Sequence, residues 1–196
     1  MKSVFSSIRM GRKPDLLAFL KAGGDPAILN EDGDSLMNLA VLHGHADLLP
    51  ILLDYGADIH QEDAFGNTPM HLASLTGNQQ VAEFLIHKGA EIDITTKHRP
   101  WTPLMMAINT CHSEMAEWLI RQGANCNFVD REEGWTPLLV ACDQGLPEFT
   151  CALIDRGAEV DATIHHGDAR GRSAIHLASY YGHIAPIRAL IQKGVN

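Results

Sequence analysis

Cysteine is scarce in this chain of 196 residues. Cys111, Cys126, Cys142 and Cys151 are the only four, and no two stand at CxxC spacing, which excludes a disulfide-stapled scaffold and the common paired-thiolate metal motifs. Positive charge is also short. Fifteen Lys and Arg face 24 Asp and Glu, for a net charge of −9, so the field of the molecule repels a phosphate backbone or an anionic membrane, and neither nucleic acid nor membrane is an expected partner. Long apolar runs are missing too. The opening MKSVFSSIRMGRKP holds one brief apolar cluster broken by Ser6, Ser7 and Arg9, too short for a signal-peptide core, and no later stretch approaches the roughly 20 apolar residues of a membrane span. The expectation is a soluble, cytoplasmic protein, with export by a route that needs no cleaved signal left open. Also missing are a phosphate-cradling glycine loop, a nucleophile elbow and an HExxH motif.

A hydrophobic content of 45% is enough to bury a core, and the chain is strongly self-similar. A Gly-Ala pair recurs at Gly56-Ala57, Gly89-Ala90, Gly123-Ala124 and Gly157-Ala158, with Gly23-Gly24 before and Gly194-Val195 after, in steps of 33, 33, 34, 34 and 37 residues. A second element moves in step with it: TPMHLA at Thr68 to Ala73, TPLMMA at Thr102 to Ala107 and TPLLVA at Thr136 to Ala141. SLMNLA at Ser35 to Ala40 and SAIHLA at Ser173 to Ala178 are degenerate copies.

Period, helix-opening hexapeptide and terminal Gly-Ala together resemble the ankyrin repeat, whose signature is a 33-residue unit carrying T-P-L-H-x-A. The resemblance covers about five repeats, 31–61, 62–95, 96–128, 129–162 and 163–196, with a weaker capping unit at 1–30. It implies one ankyrin repeat domain over 1–196, an all-α solenoid with short β-hairpin loops. The residues of one repeat support this reading independently. Thr68 has the hydroxyl of an N-cap and Pro69 has no N–H to waste at the first helical position, so a helix is expected to about Leu75 and to stop at Gly77. Val81, Phe84, Leu85 and Ile86 then stand at helical spacing up to Gly89. One such unit cannot bury both its helices, so the apolar faces must close against neighbouring repeats.

The first unit, with a helix opened at Pro14 and the cations Lys2, Arg9, Arg12 and Lys13, reads as an N-terminal cap. At the other end Arg188, Gln192 and Lys193 lie among Ile187, Leu190 and Ile191, and two readings stay open: a polar-edged cap, or a boundary within a longer protein.

The resemblance gives His71 and His176, in the fourth place of the hexapeptide, and His45, His112 and His183, after the inter-helix turn, structural hydrogen-bonding duties. His165-His166 and Asp168 fall in a lengthened loop and offer possible metal ligands, against the plainer reading of a solvated tip. Cys142 and Cys151 fall on helices as small core residues. In repeat three Cys111 replaces the inter-helix glycine and Pro100 the loop glycine, so this tip is expected to be distorted.

Positions not used for packing are the loop tips and the last residues of each first helix, which in this family line the concave side. The tips are Glu31, Asp32 and Asp34; Ala64, Phe65 and Asn67; His98, Arg99 and Trp101; Glu132, Glu133 and Trp135; and His165, Asp168, Arg170 and Arg172. The helix ends are Leu42-His43, Leu75-Thr76, Asn109-Thr110, Asp143-Gln144 and Tyr180-Tyr181. Spaced by helix packing, five tips make a strip about 30 to 40 Å long that runs from negative to more positive. Aromatic residues are 6% of the chain, and Phe65, Trp101, Trp135, Tyr180 and Tyr181 all map here. Interfaces select aromatics. For Trp101 and Trp135, packing on the adjacent loop is an equal alternative. The expected function is therefore non-catalytic binding of another protein by a monomer that needs no cofactor and no metal. The candidate contacts are Phe65, Asn67, Leu75, His98, Arg99, Trp101, Trp135, Asp143, Tyr180 and Tyr181. A narrower version is an inhibitor or an immunity- or antitoxin-type protein that covers a partner enzyme, and the rival of another class is a metal protein or enzyme built on the His165-His166 loop.

Overall fold

The computed structural model describes residues 4–194; Lys2 and Val195, assigned above to the cap and the last repeat, lie outside the described residues. Two compact units divide the chain, Met1–His98 and Arg99–Asn196. In the first, six helices follow in pairs: α1 (Val4–Arg9), α2 (Lys13–Lys21), α3 (Leu36–Leu42), α4 (Leu49–Asp54), α5 (Pro69–Leu75) and α6 (Gln79–His87). The second repeats the plan with α7 (Pro103–Asn109), α8 (Ser113–Arg121), α9 (Pro137–Asp143), α10 (Pro147–Asp155), α11 (Ala174–Tyr180) and α12 (Ile184–Gln192). This is an all-helical repeat solenoid.

From α3 onward each first helix opens on a hydroxyl. Oγ of Ser35, Thr102 and Thr136 accepts the backbone N–H of Asn38, Met105 and Leu139 at 3.1, 3.3 and 3.2 Å, meeting one of the donors that a helix start leaves orphaned. Thr68 and His71 form a reciprocal capping box, as do Ser173 and His176. The α4 helix departs from the plan, because Pro50 limits its start and Ala46–Leu48 winds as a 3-10 turn instead.

Stacking supplies what one pair lacks. Within the first unit α1 packs on α2 and α3, and α3 on α5; within the second α7 packs on α9, α9 on α11 and α10 on α12. Leu36, Leu49, Leu52 and Leu85 lose all solvent exposure in the first unit, and Leu104, Ile108, Leu119 and Leu153 in the second. The α1 helix was not legible as such in the sequence; it buries Ile8, and its Ser7 hydroxyl donates to Asp15 on α2 at 3.0 Å.

The loops are hairpin-shaped but carry no extended ladder. Isolated antiparallel bridges at Leu29–Ser35 and Thr163–Ser173 are the pairing seen among the described residues. Asx turns hold the tips instead. The inter-helix turns need a left-handed residue, and where Gly44, Gly77, Gly145 and Gly182 supply it elsewhere, Cys111 does so with φ 59°, the one non-glycine at positive φ among the described residues.

Candidate functional site

The histidines of the hexapeptide and of the inter-helix turns are tied to the scaffold. His71 Nδ1 accepts the backbone N–H of Thr68 at 3.2 Å and stands 2.9 Å from its Oγ1. A backbone N–H can only donate, so the ring is held in the tautomer with Nδ1 bare. His45 Nε2 donates to the carbonyl of Arg9 at 3.1 Å, and His183 Nε2 to that of Asp143 at 2.9 Å, each reaching back to the end of the preceding first helix. His165 gives its backbone N–H to Glu133 at 2.6 Å, and its ring lies so close over Gly134 that a β-carbon there would meet Cγ at 2.9 Å. Among the described residues no three His, Cys, Asp or Glu converge as a metal set. Burial pushes the Cys142 thiol up to about 11, the Thr150 hydroxyl 3.7 Å away only partly opposing it. At neutral pH Cys142 is a thiol, not a nucleophile.

In the first unit one tip displays a ring in water. Asp63 Oδ1 accepts the backbone N–H of both Phe65 and Asn67 at 2.8 Å, and Asn67 Nδ2 donates to Asp63 Oδ2 at 2.9 Å. That closed turn fixes the backbone, and Phe65 on it is 76% exposed. Asn67 therefore serves the turn. His98, exposed, sits beside the same tip, where Lys97 N–H reaches the Gly66 carbonyl at 3.4 Å. Leu75 is half-buried at the end of α5, and Thr76 next to it returns its hydroxyl to the Leu72 carbonyl at 2.9 Å.

In the second unit the tips of repeats three and four form one cluster. Glu133 Oε2 accepts both Arg99 Nη2 at 3.1 Å and Trp135 Nε1 at 3.0 Å. The Arg99 guanidinium lies 4.4 Å above the Trp101 ring and 6.0 Å from that of Trp135, and the two indoles meet edge to face at 6.4 Å. Trp101 is only 7% exposed, so its indole is a floor under a half-exposed cation rather than a free anchor.

The helix ends of the same unit are joined as well. Gln144 Nε2 donates to Asn109 Oδ1 and Asp143 Oδ2, each at 3.3 Å. Desolvation raises the pKa of Asp143 above the usual carboxylate range, with the Gln144 hydrogen bond and the charges of His183 and Arg99 partly opposing the rise. On α11 Tyr180 and Tyr181 are 65% and 53% exposed. Their rings meet edge to face at 5.0 Å, Tyr181 stacks on His183 at 6.0 Å, and the Arg172 guanidinium lies 4.0 Å over Tyr180.

The structure thus brings Arg99, Trp101 and Trp135 together, places Asp143 within the field of Arg99, and joins Tyr180 to Tyr181. Phe65, Asn67, Leu75 and His98 belong to the other unit. Sequence reasoning missed the parts of Glu133, Gln144 and Arg172 as partners of these groups. Their positions at tips and helix ends were the only signal available.

Paired short helices with left-handed turns, stacked edge on and closed by Asx-turned loops, define a helical repeat solenoid. The chain belongs to the ankyrin repeat family: a model of three ankyrin repeat copies matches residues 6–98 and 89–164, and a single-repeat model matches 170–196. Among curated proteins it is 41% identical over 69 residues to human protein phosphatase 1 regulatory subunit 27, covering 35% of this chain and 45% of that protein. It is 37% identical over 81 residues to the NF-kappa-B inhibitor cactus of Drosophila yakuba, covering 41% of this chain and 17% of that protein. The chain spans less than half the length of these relatives. Two solved ankyrin repeat domains share the fold over 100% of this chain: that of Bcl-3, at TM-score 0.82 and 24% identity over 87% of its length, and that of human ASB11, at 0.81 and 23% over 85%. No helix of the described residues is long and apolar enough to cross a membrane.

Proposed function

We propose that this chain is a non-catalytic binding module that engages a partner protein through its loop tips and first-helix ends. The observation that carries the reading is the exposure of rings at positions the scaffold does not use: Phe65 at 76%, Tyr180 at 65% and Tyr181 at 53%. Large rings on fixed backbone are what protein interfaces bury, since they gain area with little loss of side-chain freedom. Phe65 in one unit, and Tyr180 with Tyr181 in the other, are the proposed anchors. Arg99, His98 and Asp143 act at the rim, Leu75 adds apolar area, Trp101 and Trp135 carry Arg99, and Asn67 keeps the Phe65 turn closed. Asp143 supports the reading from another side, because its carboxylate is kept partly desolvated against its own preference.

A narrower form, regulation of a partner by covering its surface, is favoured by the relatives. One is named as a phosphatase regulatory subunit and another as an inhibitor. Photo-crosslinking tests the common core of both. With p-benzoylphenylalanine at position 65 or 181, a cell lysate should yield a discrete crosslinked protein, whereas the same probe at Glu117, on the exposed side of α8, should not. Crosslinks from position 117 alone would place the contact on the second helices and overturn the assignment.

A further inference from the structure

We propose that Arg172, Tyr180 and Tyr181 form a preorganised receptor for an acidic side chain, so that this surface takes a partner segment carrying Asp or Glu beside an apolar residue. The proposal rests on the binding-module reading above and narrows it to a partner chemistry.

The Arg172 guanidinium lies 4.0 Å over the Tyr180 ring, a contact that does not use its N–H groups, the donors that can grip a carboxylate with two parallel hydrogen bonds. Ion pairs in this unit engage Arg99, Arg121 and Lys193. Neither Arg172 nor Arg170, two residues before it, has a carboxylate at ion-pair distance among the described residues. Arg131, Arg156 and Arg188 of this unit likewise stand outside the ion pairs, so what singles out Arg172 is its seat on an exposed ring. The helix-end carboxylate of Asp143 is answered by Gln144, His183 and Arg99.

The receptor is also held in place. Arg172, Tyr180, Tyr181 and His183 contact one another in sequence, ring on ring, and His183 Nε2 closes the series on the Asp143 carbonyl at 2.9 Å. A ladder anchored at its far end loses little rotamer freedom when a ligand arrives. The exposed tyrosines then cover the apolar neighbour of the acidic residue, while their hydroxyls stay available to its backbone. A polyanion such as nucleic acid fits poorly, because it would meet the acidic field of the whole chain as well as two arginines.

Selection from a random peptide phage library tests this with the full chain, its Arg172→Gln variant and its Arg172→Lys variant, each shown by circular dichroism to keep its helix content. The wild-type chain should enrich peptides with Asp or Glu next to an apolar residue. Binding of those peptides should fall roughly 10- to 100-fold in Arg172→Gln, the loss expected for a charge-assisted hydrogen bond, and by less in Arg172→Lys, which keeps charge but not the planar stack. No enrichment, enrichment of neutral or basic peptides, or equal binding by all three proteins would overturn the proposal. Peptides that bind independently of Arg172 but depend on Phe65 would overturn it while leaving the binding-module reading standing.

Discussion

His183 reaches back forty residues to donate its Nε2 proton to the Asp143 carbonyl at 2.9 Å, with its ring over Gly145, where a β-carbon would meet Nδ1 at 2.7 Å. One imidazole thereby joins two successive first-helix ends. It also needs the glycine beneath it. The Gly145→Ala variant should lose stability twice, from the clash and from an alanine at φ 73°, and should melt below His183→Ala, which loses only the ring and its hydrogen bond. Thermal unfolding followed by circular dichroism ranks the two; equal midpoints would show that the ring does not press on the turn.

Cys111 occupies the same turn in repeat three with φ 59°. A side chain in that region costs about 1 kcal/mol relative to glycine, so Cys111→Gly is expected to stabilise the chain by about that amount in urea unfolding. The exposed Cys111 should also alkylate with iodoacetamide well before the buried Cys142, whose thiol sits near 11. Peptide mapping by mass spectrometry reads the order, and early labelling of Cys142 in the folded protein would contradict its place in the core.

The capping box makes a more modest prediction. Thr68→Ala removes one half of it and should lower stability by about 1 kcal/mol, whereas Leu85→Ala empties a site with no solvent exposure and should cost roughly 2 to 5 kcal/mol. Urea titrations of both check the ratio.

Repeat boundaries were legible because local backbone chemistry dictates them. A hydroxyl followed by proline starts a helix and a left-handed turn asks for glycine, so Thr68-Pro69, Gly77 and Gly89 could be placed before any contact was known. The α1 helix escaped notice because no hydroxyl-proline pair opens it, although Gly11 at φ 65° closes it. The candidate surface was legible only as positions. Phe65 and Trp101 are both aromatics at tips, yet one is exposed and the other lies beneath the Arg99 guanidinium that Glu133 holds. Neither leaves a periodic signal.

Asp143 gives the pH prediction. Its folded-state pKa is raised, mainly by desolvation, so the folded chain holds that proton more tightly than the unfolded one. Its effect on stability is then favourable at low pH and is lost as pH rises through the raised value. Asp143→Asn should accordingly melt higher than the parent near neutral pH, with the gap closing toward about pH 3, below the ordinary carboxylate range. A gap that widened on acidification would reverse the sign of the argument.

The central claim is that exposed rings at tips and helix ends hold the partner, and titration calorimetry of the partner recovered by crosslinking, against the parent chain and Phe65→Ala, tests it most directly. With Phe65 76% exposed on a turn closed by Asp63, the variant should keep its melting temperature and lose about 1 to 4 kcal/mol of binding free energy. Unchanged affinity in a folded Phe65→Ala chain would contradict the account and move the interface elsewhere.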